Sequence, residues 1–297
     1  MEDRRLEGRI IKGIGGFYYV EAADEIFECK ARGVFRNKSN TPLVGDFVTI
    51  KIPQSGYNLI EKIAERKNSL IRPPVANIDL LMIVCSTVSP LPNFSVIDKM
   101  TAYAVYNNIE PVIVITKSDL SDGSEIHDIY EKSAIRTVLT SYVDGVGLDE
   151  VKGMLEGKTT AFTGNSGVGK STLLNALFPG LELATGEISE KLGRGRHTTR
   201  AVELIKVDGC YVADTPGFST VNMEKFGMTD KTELQYSFPE FADYINGCRF
   251  NSCSHTCEKG CAVIEKVRDG TIAKTRHKSY CDMYDEVKNF KEWQFKK

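Results

Sequence analysis

A chain of 297 residues, 41% apolar and 26% charged, is long enough for two or three globular units and too rich in core-forming residues for disorder. Its formal net charge of −2 gives no global attraction for nucleic acid, although local basic patches such as Lys191, Arg194, Arg196 and Arg200 remain open to it. The start MEDRRLEG carries charge where a signal peptide needs an apolar stretch, and the longest apolar run, 80 to 85, is too short to span a bilayer, so a soluble cytoplasmic protein is expected.

From 8 to 64, short alternating segments (RIIKGI, GFYYVEA, EIFECKAR, DFVTIKI, NLIEKIA) are separated by Gly, Asn and Pro. This pattern predicts a small all-β unit, and its strand number suits an OB-type barrel. Phe17, Tyr18 and Tyr19, with Arg32, Arg36 and Lys38, could stack on and neutralise RNA, or the aromatics could simply fill the barrel. The stretch ERKNSLIRPPVAN reads as a linker, and the expected barrel domain spans 1–66.

A second unit, 71–222, has the apolar runs IDLLMIVCS, PVIVITK, IRTVLTS and TTAFTG alternating with helix-like segments such as 96 to 107. AVELIKV and CYVAD add two strands, and the whole predicts a parallel sheet covered by helices. At the end of the second run stands TKSD: Thr116, Lys117, Ser118 and Asp119. An aspartate there can accept from guanine N1–H and the exocyclic amine while Lys117 packs over the base, though TKSD alone would equally suit a helix cap. A further base-contacting loop is expected near Ser141.

Downstream, GNSGVGKS follows the strand TTAFT and precedes the helix-like TLLNALF, the context a phosphate-binding loop requires. The backbone from Gly164 through Asn165, Ser166, Gly167 and Val168 to Gly169 would point its N–H groups at phosphate oxygens. Lys170 would neutralise the β- and γ-phosphates, Ser171 would ligate Mg²⁺, and Thr172 completes the candidate GTP-binding set. In GRGRHTTR, Thr198 or Thr199 would complete the Mg²⁺ shell. In DTPG, Asp214 would hold Mg²⁺ through water and the Gly217 N–H would sense the γ-phosphate. The motif order is base, base, phosphate, switch one, switch two: the usual cyclic order of a GTPase entered at a different point, a circular permutation that adjacent termini permit.

Beyond 222, helical and loop segments contain Cys248, Cys253, Cys257 and Cys261 around His255, followed by a polar helical tail from 262 to 297. In a reducing compartment such crowding suggests a metal before a disulfide. Three thiolates and one imidazole make a closed tetrahedral set for structural Zn²⁺. Five side chains compete for four places, because Cys257 can replace Cys261 on spacing alone. His277 and Cys281 form a loose pair within the tail.

With these residues on the page, the chain resembles the RsgA family of circularly permuted, ribosome small-subunit-dependent GTPases. The resemblance runs over the barrel, RPPVANID, TKSD, GNSGVGKSTLLNAL, GRHTT, DTPGF and the cysteine cluster ending GCAVIEKV. It implies a multidomain chain with an N-terminal OB-fold β-barrel, a central α/β permuted P-loop GTPase and a C-terminal helical zinc-binding domain at 223–297. It further implies a monomer acting late in 30S subunit maturation, with rRNA, GTP and GDP as partners and no membrane. The family pattern assigns the zinc to Cys248, Cys253, His255 and Cys261, leaving Cys257 free. Phe218 stands where many GTPases place a water-orienting glutamine, and His197 matches the histidine proposed for that duty in the family, so the expected catalytic set is His197, Lys170, Thr198 and Thr199. Tyr142 and Cys257 depart from the family pattern. An RNA-binding scaffold with GTP as a regulatory ligand is the alternative, and TKSD disfavours an ATP-dependent enzyme. Because permutation runs DTPGF straight into the cysteine-rich region, that covalent link is expected to transmit γ-phosphate loss to it.

Overall fold

The computed structural model describes residues 3–36, 41–71, 73–179, 202–214, 223–224 and 226–289. The barrel is built on one long strand, β1 (Arg4–Ile14), whose first half pairs with β4 (Phe47–Ile52) and second half with β2 (Phe17–Ala22). A register shift between Ile10 and Lys12 bends the strand between its two partners. β3 (Glu25–Ala31) and β5 (Asn58–Ile63) pair in parallel and close the cycle β1-β2-β3-β5-β4-β1. At Gly8, where β1 passes between partners, a Cβ would lie 2.5 Å from the Glu21 carbonyl oxygen, so the closure needs glycine. Ile10, Val20, Cys29, Val48, Ile50 and Ile60 fill the interior. Strand parity sorts the aromatic run. Tyr18 packs toward this core, whereas Phe17 lies on the outer side with the Lys30 ammonium 4.9 Å from its ring and 3.4 Å from that of Tyr57.

After the short hairpin β6 (Ser69–Leu70) and β7 (Val75–Ala76), the sheet runs β10-β9-β8-β11-β13-β12. Its strands are β8 (Leu80–Ser86), β9 (Glu110–Thr116), β10 (Arg136–Leu139), β11 (Thr159–Thr163), β12 (Glu203–Val207) and β13 (Cys210–Asp214), with β12 antiparallel to β13 and the other pairings parallel. Alternate residues feed opposite layers: Leu81, Ile83, Ile113 and Ile115 face α1 (Phe94–Tyr106) and α2 (Ser124–Glu131). Met82, Val84, Val112 and Val114 face α3 (Leu148–Leu155) and α4 (Lys170–Leu177). Helix α1 begins two residues before the predicted 96 to 107 because the Asn93 side chain accepts the Val96 amide at 3.3 Å and caps it. The chain builds β9 and β10 to one side of β8 and β11, β13 and β12 to the other. Loops leaving the carboxyl ends of β8 and β11 therefore open onto a crevice.

The flanking units attach differently. Lys12 of β1 pairs with Glu203 of β12, which runs the barrel and the central sheet into one continuous 11-stranded sheet. Buried Arg9 seals this seam, with its guanidinium 5.0 Å from the Phe47 ring and 4.6 Å from that of Tyr211, donating to the Gly45 and Asn77 carbonyls at 3.3 Å. Against α1, residues 226–289 form short 3-10 turns followed by α5 (Ala262–Arg268) and α6 (Lys274–Val287). Phe238, Phe241 and Tyr280 stack into an aromatic centre with ring separations of 4.9–5.3 Å. This unit rests on α1, which answers how so polar a tail folds: its apolar support is borrowed from the central domain.

Candidate functional site

Residues 164–169 link β11 to α4. Gly164 (φ +147°), Gly167 (+81°) and Gly169 (+92°) all lie where side chains are disfavoured, and a Cβ on Gly164 would sit 2.2 Å from the Val84 carbonyl oxygen. Between them Val168 is buried and anchors the loop to the core, while Ser166 and Gly167 are exposed. Helix α4 starts at Lys170 after Gly169, without a side-chain cap, leaving its first N–H groups to face the loop; Ser171 and Thr172 occupy that first turn. Lys170 folds back so that Nζ donates to the carbonyls of Gly164 at 2.5 Å and Asn165 at 2.8 Å, and burial lowers its pKa. The loop thus concentrates backbone donors and one cation in a small concavity suited to phosphate.

TKSD leaves the end of β9 directly beside this loop. Thr116 Oγ1 lies 2.5 Å from the Val168 carbonyl oxygen and 3.0 Å from that of Cys85, so the hydroxyl ties the two motifs and β8 together. Lys117 takes φ +61°, with its backbone held by Thr87 Oγ1 at 2.7 Å. Its Nζ donates to the carbonyls of Ser89 (2.5 Å), Gly167 (3.0 Å) and Val88 (3.4 Å), which stretches the aliphatic stem across the cleft as a flat platform. The Ser118 amide donates to the Thr140 carbonyl at 3.2 Å, and Asp119 is exposed at the rim. Next to it, Ser141 is buried and bonds Asp144, while Tyr142 is exposed at 61%. The loop can turn because Gly147 adopts φ +72°, where a Cβ would be 2.1 Å from the Leu139 carbonyl oxygen.

The backbone of Asp214 ends β13 one position beyond the Ala161–Ala213 pair, on the strand next to the phosphate loop's own. His197, Thr198, Thr199, Gly217 and Phe218 lie outside the described residues, as do Lys38, Lys191, Arg194, Arg196 and Arg200.

The second centre is the cluster Cys248, Cys253, His255 and Cys261, whose ligand atoms all lie within 4.8 Å of one another. Cys248 Sγ is 3.8 Å from Cys261 Sγ, and His255 Nδ1 is 3.5 Å and 3.4 Å from these two sulfurs. A tetrahedral ion with bonds of about 2.3 Å to sulfur and about 2.0 Å to nitrogen has ligand–ligand edges of roughly 3.8 Å and roughly 3.5 Å. The donor set therefore fits a metal ion. Gln235 orients the imidazole: its amide nitrogen donates to the Thr232 carbonyl at 2.9 Å, so its Oε1 accepts from His255 Nε2–H at 2.9 Å and turns the Nδ1 lone pair toward the sulfurs. Burial pushes the Cys253 thiol up to about 12, so a bound cation would be needed to favour its thiolate form. Cys257 is exposed outside the cluster, and Cys281 lies 3.8 Å from His277 Nε2 on α6. Neither the Thr116 bridge nor the Gln235 contact was visible beforehand, since each joins segments that no short motif spans.

The RsgA GTPase family model matches residues 63–224, and the RsgA N-terminal domain model matches 7–60. A protein named small ribosomal subunit biogenesis GTPase RsgA from Caldanaerobacter subterraneus subsp. tengcongensis is 44% identical over 296 residues, 98% of this chain and 99% of its own. One of the same name from Geobacillus thermodenitrificans is 45% identical over 291 residues, 96% and 98% of the two chains. Among solved structures, YjeQ from Thermotoga maritima matches 97% of this chain and 100% of its own with a TM-score of 0.80 at 35% identity. YloQ, a circularly permuted GTPase, matches 97% and 96% with a TM-score of 0.77 at 36% identity. The barrel, the permuted sheet with its two adjacent nucleotide motifs and the Cys3His cluster all sit on a full-length match, and this chain belongs to the RsgA family of circularly permuted GTPases.

Proposed function

We propose that the protein hydrolyses GTP to GDP and phosphate as a late-stage maturation factor of the 30S ribosomal subunit, binding its rRNA and being stimulated by it. The single observation that carries this reading is the seam between the two nucleotide motifs: Thr116 and Lys117 bond the Val168 and Gly167 carbonyls at 2.5 Å and 3.0 Å. Base-selecting and phosphate-binding groups thereby face one crevice, although they are about 50 residues apart in an inverted order. Asp119 accepts from the guanine edge, Lys117 supports the base, and Lys170 turns from the loop carbonyls to the β- and γ-phosphates. Ser171 and Asp214 would hold Mg²⁺, which when bound neutralises charge developing on the transferring phosphoryl group. Gly217 would sense the γ-phosphate, Thr198 or Thr199 would complete the Mg²⁺ shell, and His197 would orient the attacking water.

Zn²⁺ is the metal that best suits three thiolates and an imidazole in a closed set. The division into 1–66, 71–222 and 223–297 goes with this reading, as do a monomer and a cytoplasmic location. Among the described residues no helix is long and apolar enough to cross a membrane. Multiple-turnover phosphate release, with and without 30S subunits, tests the proposal. Release limited to one phosphate per chain in both cases would instead support an RNA-binding scaffold. Asp119→Asn should shift preference from GTP to xanthosine triphosphate, and unchanged base preference would remove Asp119 from recognition.

A further inference from the structure

Arg276 is the largest fully buried side chain of the described residues, and nothing in the nucleotide or metal site uses it directly. It lies on α6, beside the metal cluster, yet bonds across the domain boundary. Its Nε and Nη2 grip both oxygens of buried Glu240 at 2.7 Å and 3.2 Å, while Nη1 donates to Asp98 Oδ1 at 2.9 Å and Thr101 Oγ1 at 2.8 Å on α1. Tyr130 of α2 donates to the same Asp98 oxygen at 2.9 Å, and Asp98 Oδ2 has no partner. An apolar plug of equal volume would hold two helices together as firmly as buried ions do. Two directional bonds from Nη1 to α1, with the guanidinium held in place by two more to Glu240, add what a plug lacks: a single permitted register between α1 and α6.

Each helix ends its business at a functional centre. On α1, Val96, Ile97 and Met100 share one small cavity with Gly164, Asn165 and Val168 of the phosphate loop. On α6, the residue after Arg276 bonds the metal loop itself, His277 Nε2–H donating to the His255 carbonyl at 2.7 Å, and Tyr280 Oη–H donates to the Ser254 carbonyl at 2.8 Å. The phosphate loop therefore borders α1 across a shared cavity, and direct contacts run on from α1 through Asp98, Arg276 and α6 to the loop that carries a metal ligand. This route is separate from the covalent one through 215–222.

We propose that Arg276 is a positioning residue for GTP turnover, fixing α1 at the phosphate loop in register with α6 at the metal cluster so that a nucleotide-dependent shift at one is delivered to the other. The inference rests on the chain being a GTP hydrolase. Binding linkage makes the effect reciprocal: whatever holds the metal loop in one state also biases the nucleotide site.

The test uses the full metal-loaded chain with Asp98→Asn, which keeps volume and leaves Arg276 with Glu240 as a neutral pair, and Thr101→Val, which removes one acceptor without touching charge. Amide exchange of 254–261 is measured with GDP and with a non-hydrolysable GTP analogue on 30S subunits, together with kcat and KM for GTP. In the wild type the two nucleotides should give different exchange. In Asp98→Asn that difference should collapse and stimulated kcat should fall about twofold to thirtyfold, with KM changed by less than about twofold. Equal exchange with both nucleotides in the wild type, or unchanged kcat and exchange difference in a variant that unfolds cooperatively, overturns the proposal. Should Asp98→Asn not fold, Thr101→Val decides by the same readings. A wild type that releases no phosphate would overturn the hydrolase reading instead, and the exchange difference would still decide the coupling.

Discussion

The central sheet holds its two neighbours by different physics. The barrel is joined through one strand pair, Lys12 beside Glu203, with Arg9 lying between the Phe47 and Tyr211 rings and bonding backbone carbonyls, and with partly exposed side-chain pairs beside it, Lys12 with Glu203 and Glu21 with Lys206 and the Tyr211 hydroxyl. The unit with the Cys3His cluster is joined through side chains, with one buried guanidinium shared between Asp98 and Glu240. The barrel junction tolerates substitution, because the strand pair belongs to the main chain and the ion pairs beside it are partly exposed. An ionic hub does not, because removing one partner strands the others without water. The first junction is suited to making barrel and sheet one body, and the second to holding a particular relative position that a change in α1 can disturb.

Metal removal should separate the two junctions most strongly. Structural zinc contributes about 10–16 kcal/mol in small metal-folded peptides, so chelation should open residues 231–289 to limited proteolysis while the barrel stays protected. Simultaneous cleavage within 4–63 would show that the junctions are not independent. Next in size, Arg276→Gln leaves two buried carboxylates without their cation and should cost about 3–5 kcal/mol in urea unfolding; a cost below about 1 kcal/mol would make the hub energetically ordinary. Arg9→Gln should cost only about 1–2 kcal/mol, the value of lost ring contacts and bonds to carbonyls. The Gly45 carbonyl would still accept from Asn77 Nδ2 at 3.0 Å. A loss as large as that of Arg276→Gln would erase the distinction.

How much of this could be read beforehand depended on the range of the interaction. The phosphate loop was legible because its conformation is local: glycines at 164, 167 and 169 correspond to the backbone angles found there. The barrel strands were legible from alternation, but which of Phe17 and Tyr18 faces the core depends on pairing register, which composition does not contain. Spacing left Cys257 and Cys261 interchangeable; in the fold Cys261 is buried among the other ligand atoms and Cys257 faces solvent. Thr116 was legible as the first residue of TKSD, yet its bond to Val168 crosses 52 residues and needed the sheet to exist. Arg276 gave no signal at all, since an arginine in a polar, charged helix looks solvated until a second domain is placed over it.

By itself, the sequence determined the set of local units and their cyclic order: strand alternation, glycine-forced turns and cysteine spacing are properties of a few neighbouring residues. The tertiary structure alone decided which distant groups meet. Packing α6 on α1 buries Arg276 against Asp98 and Glu240, and placing β9 beside β8 brings Thr116 and Lys117 to the phosphate loop. Those contacts depend on where whole elements dock, a balance of burial and desolvation summed over the molecule rather than a preference written in any one segment.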